Sequence, residues 1–293
     1  MSNETPWSTF IKTPQPQSQD TQPGMESVMQ PRPVFQHKDY NKSSGRLQDK
    51  VAIITGGDSG IGRAVSVAYA SEGAKVVIVY YNEHDDANET KSIIEAGGGQ
   101  CLLLSGDIAN SSFSDEIVQK TLATFGQINI LVNNAAVHYE HQNFTDTLDE
   151  DILKTFATNI FGPMYLSRAV IPHLQAGDSI INTTSVTAYE GNATLIDYSA
   201  TKGALTSFTR SLSAHLASKQ IRVNAVAPGP IWTPLIPAAF EAQHVAQHGA
   251  NTPLGRVGQP VELAGAYVYL ASNDASYISG ITIHINGGTI INC

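Results

Sequence analysis

Beyond Lys50 the chain alternates short apolar runs with longer stretches in which apolar residues recur at helical spacing. The runs are Val51–Thr55, Lys75–Tyr80, 100–105, 128–133, Ser179–Thr183, 221–227 and 281–285. Their hydrophobicity is continuous rather than alternating, so the strands they predict are buried on both faces, as when helices cover a parallel sheet. Seven runs with helical stretches between them predict an α/β chain with one doubly wound, seven-stranded parallel sheet and helices on both faces. Right-handed crossovers would gather the carboxyl ends of all strands on one edge, where ligands of such sheets bind. Functional residues are therefore sought just after each run.

Composition changes this picture mainly at the N-terminus. Residues 1–45 hold six of the fourteen prolines, with many Gln and Ser and little apolar period, so they form no core of their own and the folded domain is set at 46–293. Two readings of this arm stand side by side. It is a disordered tail, or it is an extended segment, polyproline-like at QPRPVFQHKDY, lying against its own domain or a neighbouring subunit with Phe35 and Tyr40 as anchors. Seventeen Lys and Arg against 26 Asp and Glu give a net charge of −9, which opposes nucleic acid and anionic membrane as partners. Two cysteines, Cys101 and Cys293, exclude a disulfide framework and a cysteine-rich metal site; no metal is expected. Neither a signal peptide nor a spanning apolar stretch is found, so a cytoplasmic protein is expected.

The first run leads into TGGDSGIG, Thr55 to Gly62, with a helical stretch starting near Arg63. Gly56, Gly60 and Gly62 permit a tight turn and let backbone N–H groups approach a pyrophosphate with no side chain in the way, and Asp58, Ser59 and Ile61 complete the loop. A glycine trio alone is weak evidence, but its place between a buried strand and a helix makes this a dinucleotide loop and the domain a Rossmann fold. The ribose-reading position lies at the end of the second strand, KVVIVYYNEH, which offers Tyr81, Asn82 and Glu83 but neither an Asp at its tip nor an Arg. Asp58 adds another negative charge, and Arg63 is the one nearby cation. A dianionic 2′-phosphate would meet more repulsion than attraction, so NAD is favoured over NADP. After the third run, Asp107 and Ile108 are placed to hold the adenine; a helix-capping role for Asp107 is the equal alternative.

The fourth run ends in NNAA, Asn133 to Ala136, where Asn134, Ala135 and Ala136 would let a flat ring lie against the backbone. Asn159 falls inside a long helical stretch, LDEDILKTFATNIFGPMYLSRAVIPHL, where a mid-helix Asn signals a wanted side-chain hydrogen bond. The fifth run ends at the sheet edge with Ser185, and YSATK follows at 198–202. Four positions apart on a helix, Tyr198 and Lys202 share one face. A phenol with a pKa near about 10 is a poor acid–base group at neutral pH, and an adjacent ammonium or a cationic nicotinamide ring pulls it down. Alone, such a pair is more often a solvated helix surface.

Together the loop TGGDSGIG, the NNAA turn, Asn159, Ser185 and YSATK, in this order over the domain, resemble the short-chain dehydrogenase/reductase family. With the proline-rich arm and VAPGPIWTPLIP, the chain is similar to a bacterial subgroup of glucose-dehydrogenase-like oxidoreductases. The resemblance implies an NAD- or NADP-dependent oxidoreductase acting on a secondary alcohol, sugar, aldehyde or ketone. It implies Tyr198 as general acid or base, Ser185 holding the substrate oxygen, Lys202 lowering the phenol and binding the nicotinamide ribose, and Asn159 supporting a water beside the lysine. Pro228, Gly229, Ile231 and Thr233 match the segment that contacts the carboxamide. A homotetramer is the usual assembly. Ala136 stands where Gly is commonest. A cofactor-binding sensor or scaffold of the same fold is the alternative from another class, though it has no need of the acid–base set.

His138, Tyr139 and His141 are placed to line a substrate pocket or to sit in a solvated loop, and their spacing fits no metal motif. Tyr189 and Glu190 offer hydrogen bonds to a polyol, and Trp232 either walls the pocket or fills space. The segment 234–258 is read as a lid. Ile290 and Ile291 would be poor surface choices unless another subunit covers them.

Overall fold

The computed structural model describes residues 9–40 and 43–291. The strands are β1 Val51–Thr55, β2 Lys75–Tyr80, β3 Cys101–Ser105, β4 Ile130–Asn133, β5 Ser179–Thr183, β6 Arg222–Pro228 and β7 Thr282–Ile285. They form one seven-stranded sheet in the order β3-β2-β1-β4-β5-β6-β7, every neighbouring pair parallel. The strand order reverses between β1 and β4, which is where such a sheet opens its ligand crevice.

Continuous apolar strands make this layering possible. Alternate residues point to opposite faces, so Ala52, Ile54, Val76, Ile78 and Val132 feed one core while Val51, Ile53, Val77, Val79 and Leu131 feed the other. The helices are α1 Gly60–Ser71, α2 His84–Ala96, α3 Ser111–Phe125, α4 Asp149–Phe156, α5 Gly162–Val170, α6 Thr187–Glu190, α7 Ile196–Leu216, α8 Leu235–Ala239, α9 Ala242–Val245 and α10 Val261–Ala271. Helices α1 and α10 cover the first core through Tyr69 and Tyr267, and α3, α5 and α7 cover the second through Ile117, Leu166 and Leu212.

Two boundaries differ from the pattern. Helix α1 starts at Gly60, not near Arg63, so Gly60 to Gly62 form its first turn. The stretch around Asn159 is not one helix: a π-helical turn, Ala157–Phe161, separates α4 from α5. Pro163 lacks the N–H that an α-helix would donate to the Asn159 carbonyl, and the hydrogen-bond ladder shifts just ahead of it.

Residues 9–40 cross the domain surface in extended form. Met29 is buried against Trp232, Ile236 and Phe240, and the Trp232 indole donates to the Pro31 carbonyl at 2.7 Å. Val34 and Lys12 hydrogen-bond to Val261 and Val257, Phe35 lies 5.5 Å from the Arg63 guanidinium, and Tyr40 stacks on Phe10. No described helix is long and apolar enough to cross a membrane. Cys293 lies outside the described residues, and Cys101 carries a free thiol.

Candidate active site

At the carboxyl edge of the sheet a cleft of about 630 Å³ opens. Its floor is tied together by Thr55, whose hydroxyl accepts the amides of Asn134 at 2.9 Å and Ala135 at 3.1 Å. Asn134 in turn donates to the Thr55 carbonyl at 3.1 Å, so the ends of β1 and β4 form one unit. Gly56 has φ +61°, and a Cβ on Gly62 would fall 1.8 Å from the Gly56 carbonyl oxygen. Glycine is required there for α1 to press against the loop. Gly56, Asp58, Ser59, Gly60 and Ile61 line the cleft; Gly62 lies beneath it.

The arm enters this loop. Glu26, fully buried, accepts from the Gly60 amide at 2.6 Å and pairs with the Arg63 guanidinium at 2.7 Å. A carboxylate at a helix N-terminus is favourable, yet burial outweighs Arg63 and pushes Glu26 up to about 7. Arg63 also meets Asp86 at 3.3 Å and Glu89 at 2.9 Å, and Arg32 joins the cluster through Glu26 and Glu89, so both guanidiniums are engaged by protein carboxylates. Gln22, Pro23 and Gly24 line the cleft itself. The reading of the arm as an extended segment against its own domain allowed for this, but nothing in the pattern singled out Glu26 or Gln22.

Tyr81 and Glu83 line the ribose end, whereas Asn82 does not. Asp58 and Glu83 are both nearly buried, and burial followed by the Glu83 charge pushes Asp58 up to about 7. Asp107 and Ile108 line the adenine end. The capping alternative for Asp107 does not hold. Asn110 caps α3 by accepting from the Ser112 amide at 3.1 Å, and Asp107 accepts from Ala109 at 2.8 Å within the preceding turn.

Asn134, Ala135 and Ala136 line the cleft as β4 ends, while Asn133 turns into a buried network with Asn182 at 2.9 Å. Asn159 is buried behind this wall and does not face the cleft: its side chain bonds both the amide and the carbonyl of Val137, at 2.9 and 2.8 Å, and reaches the Thr201 hydroxyl at 3.2 Å. It thereby pins the exit of β4 to α7. Ser185, Tyr198 and Lys202 do converge on the cleft. Lys202 Nζ donates to the Thr183 carbonyl at 2.8 Å and stands 5.4 Å from the centre of the Tyr198 ring. Ser185 Oγ accepts from the Thr187 amide at 3.1 Å, and its side chain also faces the Tyr198 phenol.

The electrostatics differ from expectation. Burial pushes Tyr198 up to about 12, opposed by the Ser185 hydrogen bond, and the same burial pushes Lys202 down to about 7. Among the protein's own groups, desolvation thus dominates, and Lys202 does not bring the phenol toward neutrality.

Pro228, Gly229, Ile231 and Thr233 also line the cleft, Thr233 packing directly over Gly60 of the phosphate loop. The substrate end is built by His138, Tyr139, Glu190, Leu235, Phe240, His244 and His248, the last four from the segment carrying α8 and α9. His141 turns away to Asp151 at 3.1 Å, and the Tyr189 hydroxyl donates to Thr282 at 3.0 Å. Trp232 is completely buried and fills space with Met29 rather than walling the cleft. No group of three His, Cys, Asp or Glu side chains placed to hold a metal occurs among the described residues. The loop bare of Cβ atoms, the small residues after β4 and the buried acids at the ribose end together fit a nicotinamide dinucleotide.

This doubly wound sheet with its cleft at the switch point defines a dinucleotide-binding oxidoreductase. A family model described as Enoyl-(Acyl carrier protein) reductase matches residues 56–289. The chain is 57% identical over 281 residues to the uncharacterized oxidoreductase YhxC of Bacillus subtilis, covering 96% of this chain and 98% of the relative. It is 46% identical over 283 residues to the glucose and ribitol dehydrogenase of Daucus carota, covering 94% and 97% of the two chains. A short-chain dehydrogenase from Burkholderia cenocepacia, solved in complex with NADP, superposes with a TM-score of 0.78 at 29% identity, over 83% of this chain and 98% of that one. The protein belongs to the short-chain dehydrogenase/reductase family of oxidoreductases, whose members bind NAD or NADP.

Proposed function

We propose that the protein transfers a hydride between nicotinamide and a CH–OH or carbonyl carbon of a small alcohol, sugar, aldehyde or ketone, with Tyr198 as general acid–base. The observation that carries this reading is the buried Tyr198–Lys202 pair, one turn apart on α7 at the cleft, with Ser185 at the end of β5 facing the phenol. When bound, the dinucleotide supplies the hydride acceptor or donor and, when oxidised, a positive ring beside the phenol. Ser185 and Tyr198 hold the substrate oxygen between them. In oxidation Tyr198 accepts the hydroxyl proton; in reduction it donates that proton to the carbonyl oxygen. Lys202 is anchored on Thr183 and holds the ribose side of the cleft, and Asn159 fixes α7 against the exit of β4.

Asp58 and Glu83 support NAD as the preferred cofactor, because a 2′-phosphate would be placed beside two buried carboxyls with Arg63 already engaged. The apolar side chains of Leu148, Leu153, Phe161 and Met164 and of Ile290 are exposed, which supports an assembly of subunits that covers them, a homotetramer by resemblance to the family.

Kinetics on a panel of alcohols, sugars and aldehydes, run with NAD and NADP in parallel, test the reading. Tyr198→Phe should lower turnover by at least about a hundredfold while NADH fluorescence still reports near-normal binding. Unchanged turnover in that variant removes the phenol from the chemistry.

A further inference from the structure

Beside Tyr198 the cleft contains a second polar feature that the hydride-transfer chemistry does not use. His138, only 3% exposed, packs its ring 5.0 Å from Tyr198 and 5.1 Å from Phe240. Neither of its ring nitrogens has a hydrogen-bond partner of acceptable geometry among the described residues, although the Leu235 backbone faces it. His248, across Phe240, likewise leaves Nε2 buried and unpartnered. The third imidazole of the group, His244, is engaged with Glu140 at 3.0 Å. Burial pushes His138 down to about 4 and His248 down to about 3, so both are neutral near pH 7, and each neutral ring offers one donor and one acceptor.

A buried polar nitrogen left unpaired costs about 1–3 kcal/mol, so the closed packing of His138 and His248 on either side of Phe240 is costly and favours an occupant that pairs with a ring nitrogen once the site opens. An apolar substrate group would leave that cost in place. A hydroxyl, itself donor and acceptor, would remove it at the one nitrogen of the ring that it reaches. The placement of His138 is also enforced from outside: Gln22 of the arm donates to its carbonyl at 2.6 Å and accepts from its amide at 3.3 Å. The recess is roofed by α8 and α9, helices of only five and four residues, and their outward movement would expose the nitrogens to a substrate.

We infer that His138, backed by His248, is the specificity-determining residue of this enzyme and binds a second substrate hydroxyl, on the carbon next to the reacting C–O group. The substrate class is accordingly a polyol, an aldose or a 2-hydroxyaldehyde rather than a simple alcohol or aldehyde. This inference rests on the oxidoreductase reading above, and it names which members of that broad class the cleft selects.

The experiment compares probe pairs that differ in that single hydroxyl: D-glucose with 2-deoxy-D-glucose for oxidation, and lactaldehyde with propanal for reduction. The wild-type enzyme is expected to favour the hydroxylated member by at least about tenfold in kcat/KM. His138→Phe, which keeps the aromatic packing but no hydrogen bond, should erase that preference by slowing the hydroxylated member alone, mainly through KM. His138→Gln, which keeps a donor and an acceptor and is the gentler change, should retain part of it. Equal rates on both members in the wild type, or a loss in His138→Phe shared equally by both members, overturns the inference while leaving the oxidoreductase reading intact. Turnover of none of the four probes with either cofactor overturns the inference, while the oxidoreductase reading is decided separately by the wider panel.

Discussion

The phenol of Tyr198 is held up at about 12 by burial, so without cofactor it keeps its proton, which in the proposed reaction suits carbonyl reduction rather than alcohol oxidation. A raised acid keeps its proton until the pH passes its folded value. An ultraviolet difference titration of wild type against Tyr198→Phe, without cofactor, should therefore show no phenolate from this residue up to pH 10, the ordinary value for tyrosine. With NAD bound, phenolate should appear at lower pH, and oxidation rates should rise with pH over the same interval. An ionisation unmoved by NAD would mean that the ring does not lie beside the phenol. At the ribose end the sign is opposite in consequence: replacing Glu83 by Gln removes a buried negative neighbour of Asp58. The NADP/NAD ratio of kcat/KM should then rise by about threefold to tenfold, an amount of roughly 1 kcal/mol for charges screened as near a protein surface. Residues whose placement depends on spacing along one element were legible: Tyr198 and Lys202 reach the cleft by helical period, and Gly56 and Gly60 by their position after β1. Residues whose role depends on partners far along the chain were not. Nothing near Asn159 announced that its amide would be spent on Val137, and nothing near Trp232 announced Pro31.

At the scale of elements, β1, β2 and β5 match their apolar runs residue for residue because burial on both faces keeps consecutive apolar residues in each strand, with buried polar positions Thr55, Asn182 and Thr183 falling at the carboxyl ends. The helices were less legible where local chemistry interrupts the period, as Pro163 does between α4 and α5. The junction of α1, α2 and the arm was not legible at all, since it depends on charges brought together by the fold. There Arg63 is fully buried among Glu26, Asp86 and Glu89. Removing Arg63 leaves Glu26 and Asp86 buried with only the more distant Arg32, 3.7 Å from Glu26, to offset them, while the half-exposed Glu89 keeps its pairing to Arg32. Arg63→Met should thus lower the unfolding free energy by about 3–5 kcal/mol, read from the denaturant midpoint at pH 8. Glu26 adds a pH dependence whose direction follows from its raised value. Its contribution is fully present below the ordinary 4.5 and is lost as pH rises through about 7. The melting temperature of wild type relative to Glu26→Gln should accordingly fall across that interval and level off above it. A difference that grows with pH would mean that Arg63, not desolvation, governs the carboxyl.

For the molecule as a whole, the arm changes what the domain is. Without residues 9–40 the α/β domain would expose the faces of Trp232, Ile236 and Phe240 that Met29 covers, and would leave Arg63 without Glu26 and the Gly60 amide without its acceptor. It would also open the cleft beside His138, where Gln22 to Gly24 now form part of the lining. These losses lie at three places on one continuous strap, so they should occur together. Deleting residues 1–40 is expected to lower the melting temperature by several degrees, about 4 °C for each 1 kcal/mol or less in a chain of this size, and to weaken NADH binding in the same variant. Light scattering then separates the two ways in which the arm acts. If it works within its own chain, as the contacts of Met29 and Glu26 indicate, the truncated protein keeps the mass of the full-length assembly while losing stability. A drop in mass with the melting temperature preserved would instead place the arm's contribution between subunits, and the strap across the cofactor loop would no longer explain its effect.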